Sequence, residues 1–388
     1  RCGLQIGMVC GLLYNFKKIG IIGIAIHSSP ERNYYLYMKK WNIVIVAAAV
    51  SVLLGGCAMG GATGDKTTQG VQALESGDYT QAQQLFMEAL QSGEQEMLAY
   101  RGLGLSCMGL AQYEDAEAAF TSALSAADDK MPENRLDLRL YLAAAQYRLA
   151  EYEKAVDTCT TLLEDASDGN EDAYYLRGAS ELHEGNTDDA KKDFDRAVAF
   201  DPTDYDLYLN IYETYSQMNL SGVGGDYLQS ALSIQGEELE DYYNRGRIYY
   251  YLGSYDQAQS QLIIPVEQKY EPAMDLIGQV YLAQGDYAHA KDIYSQMQTE
   301  FGESVDSYNG LALCAIADED YDGALSYISQ GLALDGTEGK QDLYFNEIVA
   351  YEKKLDFVTA KTKAEAYVAS YPADEAGQKE WTFLSTRE

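Results

Sequence analysis

A short phrase returns along this chain at a nearly constant interval, and that periodicity limits the possible folds more than any other feature. "GDYTQA", ending at Ala82, reappears as "AQYEDA" ending at Ala116, "AEYEKA" ending at Ala155, "GSYDQA" ending at Ala258 and "GDYAHA" ending at Ala290. More divergent copies end at Ala190, Gly224, Ala324 and Ala360. The intervals are 34, 39, 35, 34, 34, 32, 34 and 36 residues, which makes nine units. A period of roughly 20–50 residues marks an array in which each unit buries its apolar face only against its neighbours.

Other residues keep the same phase. Position 4 of a unit is a tyrosine at Tyr100, Tyr174, Tyr208, Tyr242, Tyr308 and Tyr344. Position 8 is small, as at Gly70, Gly104, Ala143, Gly178, Gly246, Gly278 and Ala312, and position 24 is large, as at Phe86, Phe120, Phe194, Leu262 and Tyr294. Positions 4, 7, 8 and 11 share one helical stripe, and 20, 24 and 27 share another. "Gly-Asp-Tyr" between them reads as a turn. Small residues at 8 and 20 allow two helices to cross closely, and the aromatics fill the wedge beside that crossing. Pro202 and Pro372 fall where a second helix should stop.

This pattern of aromatic, Gly, Tyr, Ala, aromatic, Ala and Pro resembles the tetratricopeptide repeat family over residues 63–374. The resemblance implies an all-α fold, a right-handed α-α superhelical solenoid of helix-turn-helix repeats. The units run at about 63–96, 97–130, 136–169, 171–204, 205–238, 239–270, 271–304, 305–338 and 341–374. Residues 375–388 read as a capping helix and tail, with Trp381 and Phe383 packed inward. Three irregularities interrupt the pattern. "DDKMPEN" (128–134) lengthens the connection between the second and third units. "SGVGGD" (221–226) reads as a loosened turn; it follows a helix and lacks the Lys-Ser/Thr of a phosphate loop. Pro265 should end or kink the second helix of the sixth unit and break the array there.

Ahead of the repeats stands "MKKWNIVIVAAAVSVLLGGC", Met38 to Cys57. Two lysines, a short apolar run and a small-residue end describe a secretory signal. The run is too short for an ordinary membrane span, which takes about 20 apolar residues. Leu54-Gly55-Gly56-Cys57 resembles the bacterial lipobox. That resemblance implies residues 38–56 as a lipoprotein signal peptide, lipidation at Cys57, a linker at 57–66, and a cell-membrane, lipid-anchored, extracytoplasmic location. An uncleaved anchor helix is the alternative. Residues 1–37 are read as translated upstream sequence before a start at Met38, or else as a cytoplasmic extension.

Beyond Cys57 the chain holds 22 basic against 60 acidic residues. Nucleic-acid binding needs the opposite sign, as does docking of the folded surface on anionic lipid. Cys107, Cys159 and Cys314 are scattered and odd in number, which argues against a disulfide framework. His183 and His289 lie about three repeats apart and read as solvated surface side chains. No nucleophile elbow, His-Glu-x-x-His or Cys-x-x-Cys appears, so neither enzyme chemistry nor a cofactor is expected. Arg177 at position 7 faces Asp193 and reads as a structural ion pair. Arg245, at the same position, faces Gln261.

The family resemblance implies a concave binding face at first-helix positions 2, 5, 6, 9 and 12. The candidate partner-binding residues there are Arg101, Tyr147, Tyr175, Leu209, Asn210, Tyr243, Asn244, Arg247 and Tyr250. The function expected is a protein-protein interaction scaffold that holds protein or peptide segments. Stacking of cell-wall glycans on the tyrosines is the alternative, and a solvated polar inner face is the bland reading of the same residues.

Overall fold

The computed structural model describes residues 65–128, 132–336, 339–372 and 374–387. The lipobox, Cys57 and everything before them lie outside the described residues. Among those described, nineteen helices and no strands occur, paired as the periodicity requires. The pairs are α1 Lys66–Glu75 with α2 Tyr79–Ser92, α3 Glu96–Gly109 with α4 Tyr113–Ala126, and α5 Pro132–Arg148 with α6 Tyr152–Asp165. Next come α7 Glu171–His183 with α8 Thr187–Phe200, and α9 Tyr205–Gln217 with α10 Ser221–Ala231. The remaining pairs are α11 Leu239–Tyr251 with α12 Tyr255–Glu267, α13 Glu271–Gln284 with α14 Tyr287–Phe301, α15 Val305–Ala317 with α16 Tyr321–Ala333, and α17 Lys340–Lys353 with α18 Phe357–Ser370. A last helix, α19, spans Glu375–Ser385. None of these helices is long and apolar enough to cross a membrane.

The turn motif has a local cause. Gly77 adopts φ 74°, the left-handed conformation that closes a helix with little strain when no Cβ is present. Asp78 then caps the next helix, its carboxylate accepting the Gln81 amide at 2.9 Å. Asp286, Asp320 and Asp356 cap α14, α16 and α18 in the same way.

The wedge is built as the spacing predicts. A Cβ on Gly70 would lie 2.8 Å from the Phe86 ring, one on Gly104 2.5 Å from Phe120, and one on Gly278 2.6 Å from Tyr294. Real Cβ atoms do not approach that closely, so the glycine is what lets the ring in. The same ring also faces the following repeat: Gly102 leaves room for Phe86, and Gly310 for Tyr294. Each position-24 aromatic is therefore shared between two repeats and sits wholly or almost wholly buried.

The chain divides at Ala231/Leu232 into two compact bodies. In the first, Phe86 and Ala99 share a core cluster, and Phe120 packs with Leu138 and Tyr141 of the third repeat. In the second, Leu262 packs with Leu276 and Val280, and Tyr294 packs with Leu311 and Cys314.

Three expectations need correction. Pro265 lies buried in the last turn of α12, which ends two residues later, and the core runs on past it: Val266 packs against the clusters of both Leu262 and Tyr294. A proline inside a helix forfeits its own amide hydrogen bond and crowds the carbonyl four residues before it, a local cost that need not interrupt packing between repeats. "SGVGGD" is helical and opens α10; a Cβ on Gly224 would sit 3.0 Å from the Tyr212 backbone, so this glycine permits an extreme version of the usual close crossing. In α19, Trp381 and Leu384 face the core, whereas Phe383 is exposed. Part of the residue insertion before the third repeat is taken up as helix, since α5 runs 17 residues from Pro132.

Candidate functional site

First-helix position 5 reaches the next first helix. Arg101 approaches the Asp137 carboxylate at 3.8 Å and donates to the Tyr141 hydroxyl at 3.3 Å, its guanidinium lying over that ring. The Tyr175 hydroxyl pairs with Thr214 Oγ1 at 3.1 Å, and Asn346 donates to Asn309 at 2.7 Å. Position 6 turns toward the preceding repeat's wedge, where Gly102 and Gly310 stand. Tyr175 and Leu209 are only 4% and 2% exposed, and Asn210 and Asn244 are buried as well. These four were expected on an open face; they lie in the joints between repeats. Asn210 keeps a buried amide nitrogen with no hydrogen-bond partner.

The remaining candidates are half-buried and reach the surface. In the second body, Tyr243 meets Tyr270 edge to face at 5.6 Å, and the Arg247 guanidinium lies 5.6 Å over the Tyr243 ring. Arg247 also donates to Asn244 Oδ1 at 2.9 Å, which holds its planar group in place. Tyr250 packs against Tyr255 at 5.8 Å, and burial pushes its hydroxyl pKa upward. α11 thus carries Tyr243, Asn244, Arg247 and Tyr250, and Tyr270 from the N-cap of α13 joins Tyr243 and the Arg247 cation in one cluster. Sequence reasoning missed Tyr270 because it lies at the end of a repeat, outside the positions assigned to the inner face. Tyr175, Leu209 and Asn210 belong to the first body.

A second arrangement was also missed. The turn tyrosine at position 17 packs on position 13 of the next repeat. Gly109 leaves space for Tyr79, Arg148 lies 4.8 Å over Tyr113, and His183 stacks on Tyr152 at 4.3 Å with nearly parallel planes. The Tyr147 hydroxyl lies 3.2 Å from His183 Nε2. His183 is therefore a packed side chain with its pKa lowered by burial, not a solvated one. His289 is exposed and paired with Asp286 at 2.6 Å.

The buried ion pair is as the spacing indicated: Arg177 grips Asp193 through two bonds of 2.6 and 2.8 Å. Beside it the Glu181 carboxyl has a buried oxygen without a partner, and burial first, then Asp193, pushes its pKa up to about 7. Arg245 donates to Gln261 at 2.9 Å and to the Gly236 carbonyl at 3.0 Å, which accounts for it without an acid. Cys107, Cys159 and Cys314 are buried and free, and burial pushes the Cys159 and Cys314 thiols up to about 12. Among the described residues no group of three His, Cys, Asp or Glu side chains could hold a metal ion.

Residues 67–132 and 276–338 match one tetratricopeptide repeat family profile, and residues 171–204 match another. Within those residues the chain carries tetratricopeptide repeats. A solved tetratricopeptide repeat protein of Parabacteroides merdae is similar over 66% of this chain and 99% of its own, at 13% identity and a TM-score of 0.43. PilF of Pseudomonas aeruginosa is similar over 56% of this chain and 97% of its own, at 18% identity and a TM-score of 0.35. No curated protein matches the sequence. Tetratricopeptide repeats generally bind protein or peptide partners and serve as non-enzymatic interaction scaffolds.

Proposed function

We propose that this chain is a lipid-anchored scaffold on the outer side of a bacterial cytoplasmic membrane or in the periplasm, tethered through Cys57, and that it captures protein segments on the first-helix face. The observation that carries the binding reading is the Tyr243–Asn244–Arg247–Tyr250–Tyr270 cluster. Tyrosine and arginine dominate interface hot spots because each offers a large rigid surface with a polar tip. The internal stacking of Arg247 on Tyr243 fixes those groups in advance, so less freedom is lost on binding. Arg101 and Tyr147 are the half-buried candidates left on the first body.

The test is photo-crosslinking in the native cell from position 243, with position 263 on an exposed helix face as comparison. A partner captured from 243 should be lost when Arg247→Ala is added and kept when Asp172→Asn is added. Equal capture from both positions would defeat the reading. The anchor is checked separately: Cys57→Ala should abolish metabolic labelling with a fatty acid, and labelling that persists would remove the lipobox assignment.

A further inference from the structure

The turn of the last repeat breaks a rule that the other eight obey. The left-handed turn position is held by Gly, Ala, Asn or Glu in repeats one to eight, as at Gly77, Asn219 and Gly253, but by Leu355 in the ninth, with φ 64°. Three residues on, Thr, Gly, Ala or an acid stands in every earlier repeat, as at Asp256 and Asp322, and Val358 stands in the ninth. Leu355 is 74% exposed and Val358 75% exposed. Leucine gains nothing in the fold from this position: a left-handed backbone disfavours it, and its side chain meets water.

The neighbourhood is equally unusual. Arg387 stacks over Phe357 at 5.7 Å and over exposed Phe383 at 4.4 Å, so the end of α19 joins the same surface. Residues 352–363 carry four lysines against two acids, in a chain of net charge −33. Of these, Lys353 and Lys354 are exposed beside Leu355, with Lys354 bridging to Asp322 at 2.5 Å, and Lys361 lies one helical turn beyond Val358.

We infer that this tip, Leu355, Val358 and Phe383 with their fringe of Lys353, Lys361 and Arg387, inserts into the headgroup region of an anionic bilayer. The patch is one turn and one helix end, far below the roughly 800 Å² and 20–30 residues that each partner gives to a stable protein interface. A bilayer needs no matching shape. It accepts single protruding apolar side chains, and basic residues around them meet anionic headgroups while their stems lie along the apolar layer. The average charge of the chain opposes docking on anionic lipid, and at the tip the sign is reversed. Repulsion from the rest of the acidic surface is screened beyond about 8–10 Å at moderate salt. This inference is independent of the lipid anchor and of the Tyr243 cluster.

Hydrogen–deuterium exchange on the full chain tests it, with vesicles of phosphatidylcholine alone and vesicles containing phosphatidylglycerol. The apolar run at 43–54 can itself bring the chain to a bilayer, so the readout is local. Exchange should slow over residues 353–360 and at the end of α19 only with phosphatidylglycerol, and the slowing should fade as salt rises. The variant Leu355→Asn with Val358→Asp installs residues that other repeats use there, and asparagine suits a left-handed turn. It should fold at least as well, yet weaken tip binding about 100-fold, near tenfold for each aliphatic side chain withdrawn from the apolar layer. Replacing Lys361 with Gln should weaken it roughly fivefold. No slowing, equal slowing on phosphatidylcholine alone, or slowing retained by the double variant would each overturn the inference. Slowing that grows with protein concentration without lipid would assign the tip to a second copy and overturn it as well.

Discussion

Some glycines of this protein make room for a ring, and others face open space. A methyl group added at Gly102 or Gly310 would enter the space of Phe86 or Tyr294. Gly102→Ala and Gly310→Ala should each destabilise by about 1–3 kcal/mol, the usual cost of overpacking. Gly225 is helical with open space around its Cβ direction. Gly225→Ala should instead stabilise by about 0.5–1 kcal/mol, through helix propensity and a less flexible unfolded chain. Urea denaturation of the three variants would check both signs. The position-8 glycines and their rings were legible in the sequence because the spacing repeats. The burial of Asn210 and Asn244 was not. One helical face looks the same on paper whether it opens to solvent or seats against the previous repeat, and the helical period does not record which neighbour covers it.

Among the elements, α19 shows how electrostatics and packing combine. Glu380 on α19 is pushed up to about 7, chiefly by burial and then by Glu352 on α17, with which it shares a hydrogen bond. Glu171 and Glu181 on α7 are also pushed up to about 7 by burial. Between pH 4.5 and 7 these carboxyls keep their protons in the folded chain but lose them in the unfolded one. The unfolded state then binds fewer protons, so their contribution to stability is full below that window and declines as pH rises through it. The melting temperature should therefore rise as pH is lowered from 7 toward 5, the reverse of ordinary carboxylate behaviour. Glu380→Gln should flatten this dependence in the second body. A wild-type melting temperature that falls over the same range would contradict the assignment. The capping role of α19 could be read from its place after the last repeat. Which of its aromatics turns inward follows from the helical period: Trp381 and Leu384, three residues apart, share the buried face, whereas Phe383, two residues from Trp381, points away.

At the scale of the whole molecule, the division falls at Ala231/Leu232. The connection that follows, 232–238, is mostly exposed and non-helical. Limited proteolysis should cut at 233–238 before it cuts near Pro265, and it should release fragments that each keep helical circular dichroism. First cleavage at 263–272 would restore the reading in which proline breaks the array. Proline drew attention there because it is the strongest helix breaker in the alphabet, yet its cost is one local hydrogen bond and the core packing runs on past it. The shared rings have a further meaning for how such a chain can be rearranged. Phe86 fits against Gly102 because the second repeat offers no side chain there, whereas the third repeat offers Tyr141 at the matching position, 5.5 Å from Phe120. The joints therefore differ in the size of the side chain they can admit. Moving the third repeat to follow the first would set a tyrosine ring where only hydrogen fits. The repeats look alike, but the second and third are not interchangeable, and their order along the chain is part of what the fold requires.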